Sequence, residues 1–176
     1  LVESDRSRWP GALLRITQSV RQLGGELDSE NLELLPSIDE IPWQSIGIAI
    51  ECIPENLEIK HDLFCRMEEL APGTLPLASN SSSFPISAIS RGLRSRERML
   101  GLHFFMPAHL VPAVEVVRGE ATDARIWEQC SNLMRILGKV PVKVRKDVPG
   151  FLANRLQHAL AREAFSLIEA GLASAE

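Results

Sequence analysis

The sequence predicts an α/β fold, in which a mostly parallel β-sheet is flanked by helices. Short apolar runs rich in β-branched residues alternate along the chain with segments whose apolar residues recur at helical spacing, a pattern typical of βαβ units. The chain has 176 residues, of which 45% are hydrophobic and 24% charged, so it is long enough and apolar enough to bury one sizeable core.

Four segments have the periodicity of amphipathic helices. The clearest is TDARIWEQCSNLMRILG, whose apolar residues fall on one helical face, and its last residue, Gly138, suits a left-handed C-cap. Gly24 marks the end of the first predicted helix in the same way. The four predicted helices are residues 9–25, 55–70, 122–138 and 151–172.

Six shorter segments are predicted strands. Residues 45–53 (SIGIAIECI) are almost continuously apolar, as expected for a strand that is buried on both faces of a parallel sheet. Residues 113–117 (AVEVV) instead alternate over a few positions. The predicted strands are the opening residues 1–2 and residues 45–53, 74–79, 98–105, 113–117 and 140–144.

Composition argues against several classes of protein. A net charge of −4 gives no basic surface for nucleic acid, and no apolar run approaches the roughly 18 residues of a membrane-spanning helix. Cys52, Cys65 and Cys130 are odd in number, widely spaced and set in apolar segments. We therefore expect reduced core cysteines in a cytoplasmic protein, without disulfides or a zinc site. The four histidines lack metal-ligand spacing, so we expect no bound metal.

Polar side chains follow four of the predicted strands. Ligands of open α/β sheets bind just beyond the carboxyl ends of the strands, so we expect these side chains to converge along one edge. Each has an ordinary structural alternative, such as helix-dipole compensation by the glutamates or turn and N-cap roles for the serines. Four such coincidences nevertheless favour a binding site. The residues are Glu3, Glu55, Asn80, Ser81, Ser82, Ser83 and His103.

The segment GLHFFMPAHLVPAVEVV is almost wholly apolar, yet it contains His103 and, twelve residues later, Glu115. A buried imidazole or carboxylate is costly unless it is hydrogen-bonded, so we expect each group to satisfy the other. His109 lies in a proline-flanked loop with nothing that points to function. Cys52 ends a predicted strand and is expected to be a core residue.

Four motifs in fixed order, ASNSSS, GLHFFMP, VEVVRG and GKVPVKVRKDVPGFLANRL, closely resemble the NAD-dependent L-3-hydroxyacyl-CoA dehydrogenase family. The resemblance implies a Rossmann-like NAD-binding domain over residues 1–148. It also implies that residues 149–176 begin an all-α second domain, of which only the first helix is present. In the family, that domain completes the substrate cleft and the homodimer.

Members of the family open with a strand and a glycine-rich turn that binds the cofactor pyrophosphate at a helix N-terminus. No G-x-G-x-x-G occurs in this sequence. Glu3 resembles the acid that binds the adenosine ribose about 20 residues after those glycines, so we expect roughly 20 to 30 residues upstream. An acid at this position favours NAD over NADP, because it repels the additional 2′-phosphate.

The resemblance also implies roles for individual residues. His103 corresponds to the catalytic histidine and Glu115 to its carboxylate partner, while Ser82 and Asn154 correspond to the substrate-contacting serine and asparagine. One departure is Met106, which stands where the family usually has asparagine and which replaces a strong donor and acceptor by a weak acceptor. The positions that correspond to the cofactor site are Glu3, Glu55, Lys60, Asn80 and Ser82.

The expected function is hydride transfer from the 3-hydroxy carbon of an L-3-hydroxyacyl-CoA to NAD, giving the 3-oxoacyl-CoA. Because Met106 replaces the usual asparagine, the first alternative is a dehydrogenase of a free 3-hydroxy acid, of the carnitine or gulonate type. A second alternative is a non-catalytic NAD-binding protein, which is plausible for a chain without the glycine-rich turn. A serine hydrolase with Ser82 as nucleophile and His103 as base is disfavoured, because no G-x-S-x-G elbow occurs.

Overall fold

The computed structural model describes residues 1–175, in which five strands form one sheet in the order β1-β2-β3-β4-β5. Strands β1, β2 and β3 are parallel, β4 is antiparallel to β3, and β5 is parallel to β4. The sheet is therefore mostly parallel, as predicted. The strands are β1 (Ala49–Glu51), β2 (Leu77–Ser79), β3 (Met99–Phe104), β4 (Ala113–Val117) and β5 (Val140–Val144).

Helices occupy all four predicted segments. Within residues 1–175 a further α-helical turn follows β2, and four 3-10 turns lie elsewhere. Asn56 and Asp123 cap the second and fourth helices, since their side chains accept hydrogen bonds from Ile59 and Arg125 backbone N–H groups. Gly24 (φ +79°) and Gly138 (φ +75°) lie just beyond two helix ends, where the chain requires positive φ. The helices are α1 (Trp9–Gln22), α2 (Leu57–Leu70), α3 (Ile86–Ile89), α4 (Ala124–Ile136) and α5 (Ala153–Glu169).

Two strand predictions require correction. Strand β1 is much shorter than residues 45–53, and Ile50 is 39% exposed, so the expected burial on both faces is wrong. The reason is that β1 lies at the edge of the five-stranded sheet and pairs only with β2 there. The opening residues form no sheet strand either, because Val2 makes a single parallel bridge to Leu35 outside the sheet.

Alternation along the strands divides the core between the two faces of the sheet. Helix α4 covers one face, where Leu102 and Val116 pack with Trp127. Helices α2 and α3 cover the other, which includes Met99 and Val117 and which we call the α2 face. Since side chains alternate along a strand, His103 and Glu115 also point toward the α2 face.

The antiparallel pairing of β3 and β4 follows from their short connection. No helix lies between Phe104 and Ala113, so the chain reverses in a loop that contains the cis Met106–Pro107 peptide. In contrast, helix α4 connects β4 to β5 and allows those strands to be parallel. The hairpin brings the two halves of the apolar segment 101–117 side by side.

The three cysteines differ in their burial. All three cysteines are free, but only Cys130 is buried, whereas Cys65 is half-buried and Cys52 is exposed. The expectation that Cys52 is a core residue is therefore wrong.

Helix α5 has no buried residue, and Leu156, Leu160 and Phe165 are 65–72% exposed on it. None of the helices within residues 1–175 is long and apolar enough to cross a membrane.

Candidate active site

His103 and Glu115 face each other directly across the β3–β4 ladder. Residues paired in this way have neighbouring side chains on one face of the sheet, which explains the twelve-residue separation in sequence. His103 Nδ1 lies 2.8 Å from Glu115 Oε2, and the two residues are 4% and 1% exposed. The predicted pairing of the two buried polar groups is present in the structure.

The second carboxylate oxygen of Glu115 is held by the start of α5. Its Oε1 accepts hydrogen bonds from the backbone N–H groups of Leu152 and Ala153, each at 2.9 Å. The chain reaches this position through Gly150 (φ +72°) and the fully buried Phe151 (φ +48°), both in the left-handed region. Glu115 thus occupies the anion-binding end of a helix.

These contacts determine the charge of Glu115. Burial alone would raise the pKa of Glu115, but the hydrogen bonds from His103, Ala153 and Leu152 outweigh burial and lower this pKa below its ordinary value. An ionised carboxylate only accepts hydrogen bonds, so Nδ1 of His103 carries the ring proton. Nε2 is consequently the basic nitrogen of the neutral ring.

The Nε2 edge of the His103 ring makes no described hydrogen bond and keeps a small accessible area. No hydrogen-bond partner of Nε2 is found within residues 1–175, and none of the side-chain nitrogens described there is both buried and unpaired. Phe105 and Phe151 flank the ring, with centroids 4.8 Å and 5.8 Å from it. The imidazole is therefore fixed by its acid and by two aromatic rings, and its basic nitrogen is left without a protein partner among the described residues.

Ser82 and Asn154 are brought together by the loop that follows β2. Asn154 Nδ2 donates to the Ser82 carbonyl oxygen at 2.8 Å, and the Gly150 N–H donates to the Ser83 carbonyl oxygen at 3.2 Å. The exposed Ser82 thus lies at the start of α5, whose N-terminal residues also hold Glu115. Three residues predicted from separate motifs, Ser82, Glu115 and Asn154, meet at this helix end.

Glu55 connects the loop after β1 to the loop after β2. Its Oε1 accepts hydrogen bonds from the Ser81 hydroxyl and from the Ser83 N–H, and its Oε2 lies 3.3 Å from Lys60 Nζ. Burial would raise the pKa of Glu55, but these contacts with Ser81, Ser83 and Lys60 outweigh it and lower this pKa. Glu55 therefore fixes the loop that carries Ser82.

Lys60 is buried beneath this loop, at 1% exposure. Its Nζ lies 2.6 Å from Glu51 Oε1 and 3.1 Å from the Ile53 carbonyl oxygen, while Glu51 Oε2 accepts a hydrogen bond from Ser79 Oγ at 2.7 Å. Glu51 and Ser79 were not among the residues predicted from the sequence. The signal was a carboxylate within an apolar strand, which requires a buried partner. Direct contact of Lys60 with a cofactor stays a prediction.

Asn80 links two strand ends, whereas Glu3 lies apart from them. Asn80 Oδ1 accepts a hydrogen bond from the Phe104 N–H at 2.9 Å. The described hydrogen bonds of the Glu3 side chain and carbonyl are with Asp5, which precedes α1, and with Trp9, the first residue of α1. The expected convergence therefore holds for the groups after β1, β2 and β3, and the structure does not bring Glu3 into contact with them.

Two further features lie outside this cluster. Met106 follows β3 and is 84% exposed, so it presents its side chain to solvent rather than to the core. A surface groove of about 680 Å³ lies along α4, between Gly47 and Ile136, and its lining contains none of the predicted site residues.

Comparison with known proteins identifies the family of the chain. The family model for the NAD-binding domain of 3-hydroxyacyl-CoA dehydrogenase matches residues 30–148. The chain is 35% identical over 168 residues to 5-formyl-3-hydroxy-2-methylpyridine 4-carboxylate 5-dehydrogenase of Mesorhizobium japonicum, covering 94% of this chain and 54% of that protein. It is 39% identical over 132 residues to human mitochondrial hydroxyacyl-coenzyme A dehydrogenase, covering 75% of this chain and 42% of the relative.

A solved structure gives the same result. The crystal structure of 3-hydroxybutyryl-CoA dehydrogenase from Escherichia coli K12 superposes with a TM-score of 0.88 at 32% identity, covering 99% of this chain and 38% of that one. The chain spans about half the length, or less, of the curated relatives described above. The matching domain is the NAD-binding domain, which confirms the predicted cofactor. Because the match extends over more than half of the sequence, this chain belongs to the 3-hydroxyacyl-CoA dehydrogenase family.

Proposed function

We propose that the protein oxidises the 3-hydroxy group of an L-3-hydroxyacyl-CoA to the 3-oxo group, with NAD as hydride acceptor. The observation that carries this proposal is the hydrogen bond of His103 Nδ1 to an ionised carboxylate at the end of β3, which leaves Nε2 as the free basic nitrogen. Oxidation of a secondary alcohol requires removal of its hydroxyl proton as hydride leaves the carbon, and a neutral imidazole is suited to that proton transfer.

His103 would act as the general base, and Glu115 as the group that supports it. Proton transfer to Nε2 turns the ring into a cation, which an apolar pocket disfavours. The ionised Glu115 lies 2.8 Å from Nδ1 and offsets that cost, and it also fixes the tautomer in which Nε2 is free. The N–H groups of α5 hold the carboxylate in place, so the base is oriented before substrate arrives.

Ser82 and Asn154 would orient the substrate. The amide nitrogen of Asn154 is engaged by the Ser82 carbonyl, which fixes the side chain and leaves its Oδ1 available to accept a hydrogen bond. The Ser82 hydroxyl lies on an exposed loop, and Glu55 fixes this loop by accepting a hydrogen bond from the Ser83 N–H. Such a pair of fixed polar groups suits the hydroxyl or carbonyl oxygen of the reacting carbon.

The residues present fit the nicotinamide half of the cofactor. Three of these residues lie at the carboxyl ends of parallel strands, where α/β sheets bind dinucleotides: Glu55, Asn80 and Ser82. The hydrogen bonds of Glu55 and Asn80 order the loops that follow β1 and β2. Lys60 would act indirectly, because its ion pair with Glu55 helps to fix that carboxylate. NAD, when bound, supplies the hydride-accepting ring. We retain Glu3 as the candidate ribose-binding acid, on the resemblance alone.

We propose that residues 1–148 belong to the cofactor domain and that residues 149–176 begin the helical domain. The family match ends at residue 148, and α5 has no buried residue, which supports this division. The exposed Leu156, Leu160 and Phe165 suit burial against further helices and a homodimer partner. The three free cysteines suit the reducing cytoplasm.

The test is a spectrophotometric assay of the intact gene product with NAD and L-3-hydroxybutyryl-CoA. We expect NADH to form, and we expect His103→Gln to lower kcat by roughly 10²-fold or more, the size of a general-base effect. His109→Gln, which alters a half-buried histidine that contacts Gln22, serves as the matched control and should leave kcat unchanged. Equal rates for wild type and His103→Gln would refute the proposal.

A second candidate is a dehydrogenase of a free hydroxy acid, of the carnitine or gulonate type. Met106 in place of the usual asparagine favours it, as does the Mesorhizobium relative, whose name specifies a carboxylate without coenzyme A. Comparing kcat/KM for the thioester and for free 3-hydroxy acids decides between the two. NADH binding without turnover of either substrate would instead indicate a non-catalytic NAD-binding protein.

A further inference from the structure

Asp147 lies in the loop between β5 and α5, and the proposed function does not use it. Its Oδ1 accepts a hydrogen bond from the Ile86 N–H at 2.9 Å, and its Oδ2 accepts two, from the N–H and from the hydroxyl of Ser87, each at 2.6 Å. Asp147 is half-buried, so these hydrogen bonds are partly shielded from water. The carboxylate therefore connects the loop before α5 to the first residues of α3.

Two further hydrogen bonds join the same two stretches of chain. The Gly150 N–H donates to the Ser83 carbonyl oxygen at 3.2 Å, and Asn154 Nδ2 donates to the Ser82 carbonyl oxygen at 2.8 Å. The two stretches therefore run antiparallel, with Asp147 at one end and Asn154 at the other. Asp147 accepts more of these hydrogen bonds than either of the other two residues makes, so it is the main contact between the two stretches.

The loop that begins at Asp147 has an unfavourable backbone conformation. Phe151 has φ +48°, a left-handed value that is rare for a bulky residue, and Gly150 beside it has φ +72°. Such a conformation persists only where the surrounding structure fixes it. Glu115 fixes the side that leads into α5, because its carboxylate accepts hydrogen bonds from two N–H groups there. Asp147 fixes the side that comes from β5.

We propose that Asp147 is a positioning residue of the candidate active site, which holds the chain before α5 so that Glu115 keeps its two N–H donors and His103 its orientation. The catalytic part of this inference rests on the proposed function. Asp147 contacts neither of these two side chains, so it acts on them through the left-handed turn and the start of α5. A small displacement of a catalytic base is enough to lower the rate of proton transfer.

Amide hydrogen exchange of Leu152 and Ala153 in Asp147→Asn tests the inference in the intact gene product. The amide keeps the size of the carboxylate but has one oxygen, so it cannot accept from both the Ile86 and the Ser87 N–H groups in their present positions. We expect the two α5 amides to exchange at least about tenfold faster than in wild type, because local opening is no longer opposed. We also expect kcat to fall by about tenfold or more, since general-base catalysis depends on orientation.

Two further variants separate this effect from a general loss of stability. Asp123→Asn is the matched control, because Asp123 caps α4 by accepting a hydrogen bond from the Arg125 N–H, and α4 packs on the other face of the sheet. We expect it to change neither the exchange of the two α5 amides nor kcat. Ser87→Ala removes one of the three donors to Asp147 and should accelerate exchange in the same direction but less.

Three results would overturn the inference. Unchanged exchange of the α5 amides in Asp147→Asn would show that this carboxylate does not hold the helix start. An equal acceleration in Asp123→Asn would show that the cause is lost stability. Wild-type kcat in an Asp147→Asn protein whose α5 amides exchange faster would separate the contact from the base. If the wild-type protein oxidises no hydroxy substrate, the proposed function fails, and the exchange rates still show whether Asp147 holds α5.

Discussion

Glu115 accepts a hydrogen bond from the backbone N–H of Ala153 at 2.9 Å, so the first residue of α5 holds the acid that orients His103. The base is therefore assembled from a β-hairpin and from a helix that follows it much later in the chain. A change that displaces the start of α5 should alter the histidine as well as the packing of that helix.

Replacement of Glu115 by Gln should keep the fold but lower kcat by well over tenfold. The amide is neutral and cannot stabilise the imidazolium, while general acid–base effects amount to roughly 10²–10⁴-fold. The measurement is kcat of the intact gene product, with thermal unfolding to verify the fold. Glu120→Gln, which alters an exposed glutamate, is the control and should be as active as wild type. An undiminished rate in Glu115→Gln would remove the acid from the mechanism.

The pH dependence of stability should reveal the ionised Glu115. Its pKa is lowered below the ordinary value of 4.5, so its stabilising contribution is present above pH 4.5 and is lost as the pH falls through the lower, folded-state pKa. Glu55 and Glu68 have lowered pKa values too, so the relevant quantity is the difference between wild type and Glu115→Gln. We expect this difference, measured by urea unfolding, to shrink on acidification. A difference independent of pH would contradict an ionised Glu115.

Sequence periodicity predicted the helices well, and the desolvation argument predicted the pairing of His103 with Glu115. Neither argument could predict the contact between Glu115 and α5, because that contact depends on the left-handed backbone at Gly150 and Phe151. The length of β1 could not be predicted either, because an apolar run does not show whether its strand is central or at an edge of the sheet. Glu51 was predictable in principle, as a carboxylate without an obvious partner.

Replacement of Lys60 by Met should destabilise the protein by about 3–5 kcal/mol, because it leaves the carboxylate of Glu51 buried and unpaired. The double variant Glu51→Leu with Lys60→Met should recover part of this loss. Chemical denaturation measures both. Arg125→Met breaks the exposed pair with Asp123 and should have a far smaller effect, because solvent screens exposed ion pairs. Equal effects of Lys60→Met and Arg125→Met would show that the buried pair contributes little.

Replacement of Gly101 by Ala should destabilise the sheet by about 1–3 kcal/mol, the usual cost of overpacking a core. Gly101 lies in β3 beside Val117, and an added Cβ would lie 2.8 Å from the Val117 Cβ and 3.1 Å from the Ile86 side chain. Strand β3 carries His103 two residues later, so a shift of the strand should also lower kcat. Gly47→Ala is the matched control, because an added Cβ there has no neighbour within 4 Å. If the two variants unfold at the same temperature, the close approach of β3 and β4 at Gly101 does not constrain the strand.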